Sequence, residues 1–423
     1  MNRALTGLLA TSVSLLVLTS CAQNAPGNEP STTLSGNGEQ HESHDHEPEP
    51  EHGVQETSEA PLHLVSIDSQ GRVGMLDLVS EEGRELGQIP VPHNVDSDGR
   101  YVFADTGAGV QVIDSGMWSW AHGDHFHYYR GTPGLLGNLE GSGPAIVSIS
   151  AHSTSGGTGV FFPETGQATV LDNKELSHGR LQEVFSIQLE ENQTLLSPFG
   201  KGALVSRTDN DGQVTGVRYV DEEGVPVADS EADCPQAHGS ITTAAGVVLG
   251  CADGALVATG TGETPEFEKI PYPERVPAAE RAMDFAGRKA RPSVAALAGE
   301  HGAWILDARA KSWERIWQGR TLLRVIAVDD AKGHVIALDD AGRLRIHQLE
   351  SGEETAVSEP LLAHLVDDPQ LLQGVELSVD QSRAYLNDPA SGTVHEIDFA
   401  DSGRITRSLD TPTDAVFMAE TGR

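Results

Sequence analysis

Residues 325–347 read Val325-Ile-Ala-Val-Asp-Asp-Ala-Lys-Gly-His-Val-Ile-Ala-Leu-Asp-Asp-Ala-Gly-Arg-Leu-Arg-Ile-His347. An apolar run stops at an Asp/Gly turn, a second run stops at another, and a third follows. Short runs rich in β-branched residues and bounded by Gly and Asp are strands joined by tight turns. The form returns at 375–398, Val375-Glu-Leu-Ser-Val-Asp-Gln-Ser-Arg-Ala-Tyr-Leu-Asn-Asp-Pro-Ala-Ser-Gly-Thr-Val-His-Glu-Ile-Asp398, and again at 93–114 and 238–257. No such unit can bury its apolar faces alone. A repeat of about 40–50 residues with three or four strands is one propeller blade.

Working outward, runs of the same kind lie at 62–67, 73–78, 145–149, 159–162, 168–171, 203–206 and 216–220. No long run has a helical period. The fold class expected for residues 61–423 is therefore all-β, a β-propeller of seven or eight blades, with eight favoured. The ring has to close, because free strand edges invite aggregation. Asp414–Ala419 is a spare strand, and the first unit, Leu62–Pro90, is one strand short, so the two should pair. The stretch Pro271–Pro292 reads as an inter-blade loop with a short helix around Ala278–Phe285.

Composition narrows the function. Of 423 residues, 28 are Lys or Arg and 63 are Asp or Glu, a net charge of −35. That balance argues against nucleic acid and against polybasic contact with anionic lipid. Three cysteines exclude a disulfide-rich scaffold and any four-cysteine zinc module. The 17 histidines stand out.

Residues 1–20 read as a secretory signal: Arg3, then a short apolar stretch Ala4–Val17. The ending Leu18-Thr19-Ser20-Cys21 resembles a bacterial lipobox, which makes Cys21 the lipidated first residue of the mature chain. Residues 21–60 read as a disordered tether, rich in Glu and without Lys, Arg or aromatic residues. Within it, His41, His44, His46 and His52 alternate with Asp and Glu. Such a tract can wrap a divalent cation transiently, or it can serve merely as a solubilising spacer. Cys234 and Cys251 are the remaining thiols. A disulfide is the expectation in a secreted chain, and two thiolate ligands are the alternative.

The stretch richest in metal chemistry is Trp118-Ser-Trp-Ala-His122-Gly-Asp124-His125-Phe-His127-Tyr-Tyr-Arg130. On a strand, His125 and His127 share a face. Gly123 permits a bend that brings His122 or Asp124 to the same cation. Imidazoles plus a carboxylate suit tetrahedral zinc, and the flanking aromatics would brace the rings. His93, His178 and His238 each open a repeat unit. If inner strands line the channel, one of these could complete the site. His63, His152, His301, His334, His347, His364 and His395 read as structural or surface residues.

Together these features resemble periplasmic zinc metallochaperones of the AztD type. The His-rich mature N-terminus, the run His122-Gly-Asp-His-Phe-His-Tyr-Tyr129, and Cys234-Pro-x-x-His238-Gly with Gly250-Cys251-x-Asp-Gly254 carry the resemblance. It implies a propeller that holds Zn(2+) through His122, His125, His127 and His238. It also implies transfer to the zinc solute-binding protein of an ABC importer. The lipobox departs from the soluble members and implies a copy tethered to the outer face of a bacterial membrane. The expectation is a monomeric metal carrier and not an enzyme. The alternatives are a metal-free interaction propeller, or a metal-dependent hydrolase or lyase using Asp105, Asp124 or Asp253 as base. No Gly-x-Ser-x-Gly elbow, phosphate loop or His-Glu-x-x-His motif is present.

Overall fold

The computed structural model describes residues 53–122, 125–190, 192–260 and 264–423; at 121, 122 and 125 it describes the backbone alone. The signal 1–20, Cys21, His41, His44, His46, His52 and Asp124 lie outside the described residues.

Eight four-stranded antiparallel sheets follow one another along the chain, so the favoured count of eight blades is the one observed. In seven of them the strands lie in chain order, the second blade with a hairpin inserted before its last strand. The blade 93–140, for example, orders Asn94–Ser97, Tyr101–Asp105, Gly109–Asp114 and Gly134–Glu140 from inside out. The first strands of successive blades touch, as Phe417–Thr421 touches Asn94–Ser97 and Leu322–Ala327 touches Leu377–Val379. They therefore line the axis. The first blade takes its inner strand from the other end of the chain: Phe417–Thr421 pairs with His63–Ile67, Thr421 opposite His63 and Phe417 opposite Ile67. The ring closes as the sequence led us to expect.

The core is divided among the junctions. Val65, Val73, Val102 and Ile113 join the first and second blades. Ile336, Leu344, Leu386 and Ile397 join the seventh and eighth. Leu64, Leu76, Tyr385 and Val394 join the eighth to the first. The second strand of each blade is buried on both faces, which explains why runs such as Tyr101-Val-Phe-Ala104 are continuously apolar rather than alternating.

Cys234 and Cys251 form a disulfide with a Cα–Cα distance of 5.0 Å, tying the start of the fifth blade to its second strand. In the Pro271–Pro292 stretch the helix shrinks to a 3₁₀ turn, Ala278–Glu280, and Phe285–Ala286 is already the inner strand of the sixth blade.

A four-stranded meander reverses direction at every strand. The first-to-second and third-to-fourth connections therefore lie on one face of the disc, and the inner strands begin on the other. This alternation positions the site.

Candidate metal centre

A ninth, three-stranded sheet stands apart from the blades: Gln55–Thr57, His125–Arg130 and Met117–His122, in that order. The last two form a hairpin inserted between the third and fourth strands of the second blade, so it projects from the face of the third-to-fourth connections. Its ladder pairs Trp118 with Tyr129, Trp120 with His127 and His122 with His125. Alternation puts Trp118, Tyr129, Trp120 and His127 on one face of the ladder.

The described part of this face is built from below. Arg100 makes a two-point contact with Asp114, Nε to Oδ1 at 3.0 Å and Nη2 to Oδ2 at 2.8 Å, and both side chains are buried. Its guanidinium lies 4.0 Å from the ring centre of Trp118. Trp118 stacks on Tyr129 at 5.3 Å, and Trp120 lies 5.7 Å from the His127 ring. Paired, buried Arg100 is a rigid footing on which the aromatic rungs rest, and His127 is the next rung out.

Two carboxylates fix this hairpin. Arg130, the last residue of its second strand, donates from Nη2 to Asp77 Oδ2 at 2.9 Å. Asp77 ends the third strand of the first blade and also lies 3.5 Å from His63 Nε2. Burial pushes the His63 imidazole below its usual value, while its Nδ1 donates to the Pro61 carbonyl at 2.7 Å. Asp77 is held below the usual carboxylate range although its partial burial acts upward. The Val79 and Ser80 amides, His63 and Arg130 outweigh that burial.

The second carboxylate is Glu56. Its Oε1 lies 2.7 Å from His127 Nδ1. It comes from Gln55–Thr57, which pairs with His125–Arg130 and lies inside the segment read as tether. Sequence reasoning missed both Glu56 and Asp77. They are 71 residues from His127 and 53 from Arg130, and no local spacing marks them.

The other histidines fall elsewhere. His238 is the first residue of the inner strand of the fifth blade and His93 directly precedes that of the second. Both therefore sit on the face opposite the hairpin. His178 does not open a unit. It is the C-cap of the short helix Asn173–Ser177, between the third and fourth strands of the third blade, and its Nδ1 donates to the Lys174 carbonyl. Asp172 starts that helix by accepting from the Lys174 and Glu175 amides, and Gly179 ends it at φ 73°. Among the described residues no three His, Cys, Asp or Glu side chains gather around one point. The side chains of His122, Asp124 and His125 are outside that set.

Of the residues considered as bases, the two that are described are engaged elsewhere. Asp105 accepts from the Gly107 and Ala145 amides, and Asp253 is ion-paired with Lys269. A cleft on the hairpin face, lined by Ser150, His152, Pro198, Phe199 and Thr242 among others, has no acidic residue among the described residues of its wall.

Two solved structures of Citrobacter koseri AztD match with TM-scores of 0.69. One is 22% identical and covers 86% of this chain and 97% of AztD. The other, of apo AztD, is 20% identical and covers 85% and 98%. This chain has the AztD fold. The resemblance drawn from the His122 and Cys234 runs therefore extends along nearly the whole AztD chain as architecture. The chain matches no family model. Among the described residues no helix is long and apolar enough to cross a membrane.

Proposed function

We propose that this protein is an extracytoplasmic carrier of zinc, with His122, His125 and His127 as ligands at the hairpin tip and Asp124 as a further donor. The observation that carries the reading is the register. It sets His122 opposite His125, two steps from the Trp120–His127 rung, on a hairpin footed on Arg100 and pinned by Asp77. Three imidazoles on one short ladder are a donor set for a tetrahedral ion. Likeness to AztD supports the choice of zinc and of its recipient, the solute-binding protein of an ABC importer.

The acidic surface and the stretch His41, His44, His46 and His52 would concentrate the cation, and the hairpin would hold it on neutral imidazoles. Ligand exchange within a complex would then pass it on without release to water. A lipid on Cys21 would hold the carrier on the outer face of a bacterial membrane, and the Cys234–Cys251 disulfide fits an oxidising compartment.

Zinc analysis of the mature chain tests this, beside a variant with His122, His125 and His127 changed to Ala and another with the four tether histidines changed to Ala. We expect the first variant to lose tightly held zinc and the second to retain it. Equal zinc in the wild type and the first variant would overturn the reading. A second reading, a metal-free docking platform, draws on Phe126, which is 52% exposed and stacks on Tyr128. Absence of zinc from the wild type after titration would favour it.

A further inference from the structure

Glu56 has one described polar partner, and that partner is a histidine of the hairpin. Its carboxylate can only accept, so the His127 ring bonds to it as an Nδ1–H donor. A neutral imidazole carrying its proton on Nδ1 has its lone pair on Nε2. A cation held on Nε2 draws electron density from the ring and strengthens the Nδ1–H donor. The carboxylate behind it fixes the tautomer and the orientation of the ring.

The strand that delivers Glu56 is only three residues long. Three register pairs hold it, Gln55 with Arg130, Glu56 with Tyr129 and Thr57 with Tyr128, and it is largely exposed. An edge strand this short, without a buried apolar side chain, lies at the low end of local stability. The Glu56–His127 bond adds to the register pairs, and to the Thr57 hydroxyl at 3.5 Å from the Tyr128 carbonyl, in keeping it in place. The chain just before it carries His41 to His52.

We infer that Glu56 is a positioning residue that fixes His127 with Nε2 toward the cation, and that strand Gln55–Thr57 docks more firmly when the cation is bound. Because the coupling is reciprocal, undocking the strand weakens the site by the same factor. A partner that peeled this strand from the hairpin would loosen the ion. The inference rests on the zinc reading above and adds to it a residue, a tautomer and a movable strand.

The experiment uses the mature full chain with zinc chloride as probe, comparing wild type with Glu56→Gln and Glu56→Ala. Glu56 is half-exposed, so neither change disturbs the propeller core. Three results are expected. Nitrogen-15 NMR of the metal-free wild type shows His127 as the Nδ1–H tautomer, and Glu56→Ala shifts it toward Nε2–H. Zinc affinity falls by about 10–100-fold in Glu56→Ala and by less in Glu56→Gln, whose amide oxygen still accepts. Hydrogen exchange at residues 55–57 slows on adding zinc to the wild type and does not in Glu56→Ala. If the wild type binds zinc but affinity, tautomer and exchange are all indifferent to Glu56, the inference is overturned and the zinc reading stands. If the wild type and His127→Ala bind zinc equally poorly, both fall.

Discussion

Glu420 shows how much a single buried charge can weigh. It lies on the closing strand Phe417–Thr421 with 2% of its surface exposed, and neither carboxylate oxygen accepts a hydrogen bond. Burial pushes its carboxyl up to about 7; Arg423, at 3.3 Å, opposes the shift and neighbouring Asp380 adds to it. Folding therefore favours the protonated form. Stability from this residue is full below the unfolded value near 4.5, declines as pH rises through about 7, and stays lost above. Asp77, Asp330 and Glu396 are shifted the other way, and their contributions fade only in stronger acid. Glu420→Gln should thus raise the melting temperature at pH 8, by the equivalent of at most about 3 kcal/mol. The gain should shrink through pH 7 and vanish near the unfolded value. Thermal melts across that range check this, and a pH-independent difference would refute it.

The blade as an element owes its strength to neighbours on both sides, and the fifth has a covalent tie as well. Cys234–Cys251 closes a loop of 17 residues, which in the chain-entropy account stabilises by about 3 kcal/mol. Changing both cysteines to Ser should lower stability by that order in denaturant melts while leaving zinc binding unchanged. The hairpin lies on a different blade from the tie. The hairpin itself is held differently, by Arg130 on Asp77. Arg130→Ala should raise hydrogen exchange in strand His125–Arg130 and weaken zinc binding while leaving the melting temperature nearly unchanged, because Arg130 is 42% exposed and Asp77 keeps its other partners. A drop in melting temperature with unaltered zinc affinity would reassign this pair to the propeller alone.

At the scale of the whole molecule, closure decides solubility. Removing residues 414–423 would strip the inner strand from the first blade and leave His63–Ile67, buried throughout, as an open apolar edge. Size-exclusion chromatography with light scattering should show aggregation of the truncated chain, and a soluble monomer would mean that the ring tolerates an open first blade.

The sequence by itself determined the propeller, the choice between seven and eight blades with eight favoured, and the closing strand, and it singled out the histidines between 122 and 127 while reading their stretch as one bent strand. These rest on local pattern: apolar runs of strand length, turns of Gly and Asp, and alternation along a single strand. It also singled out Cys234 and Cys251. Only the tertiary structure decided which of the remaining histidines lie near the hairpin. His93 and His238 open inner strands, yet the meander reverses at each strand and leaves them on the far face. His178 caps a helix because Asp172 and Gly179 bound one there. Glu56 and Asp77 reach the hairpin from 71 and 53 residues away, because strand pairing and ring closure bring together segments that no spacing relates.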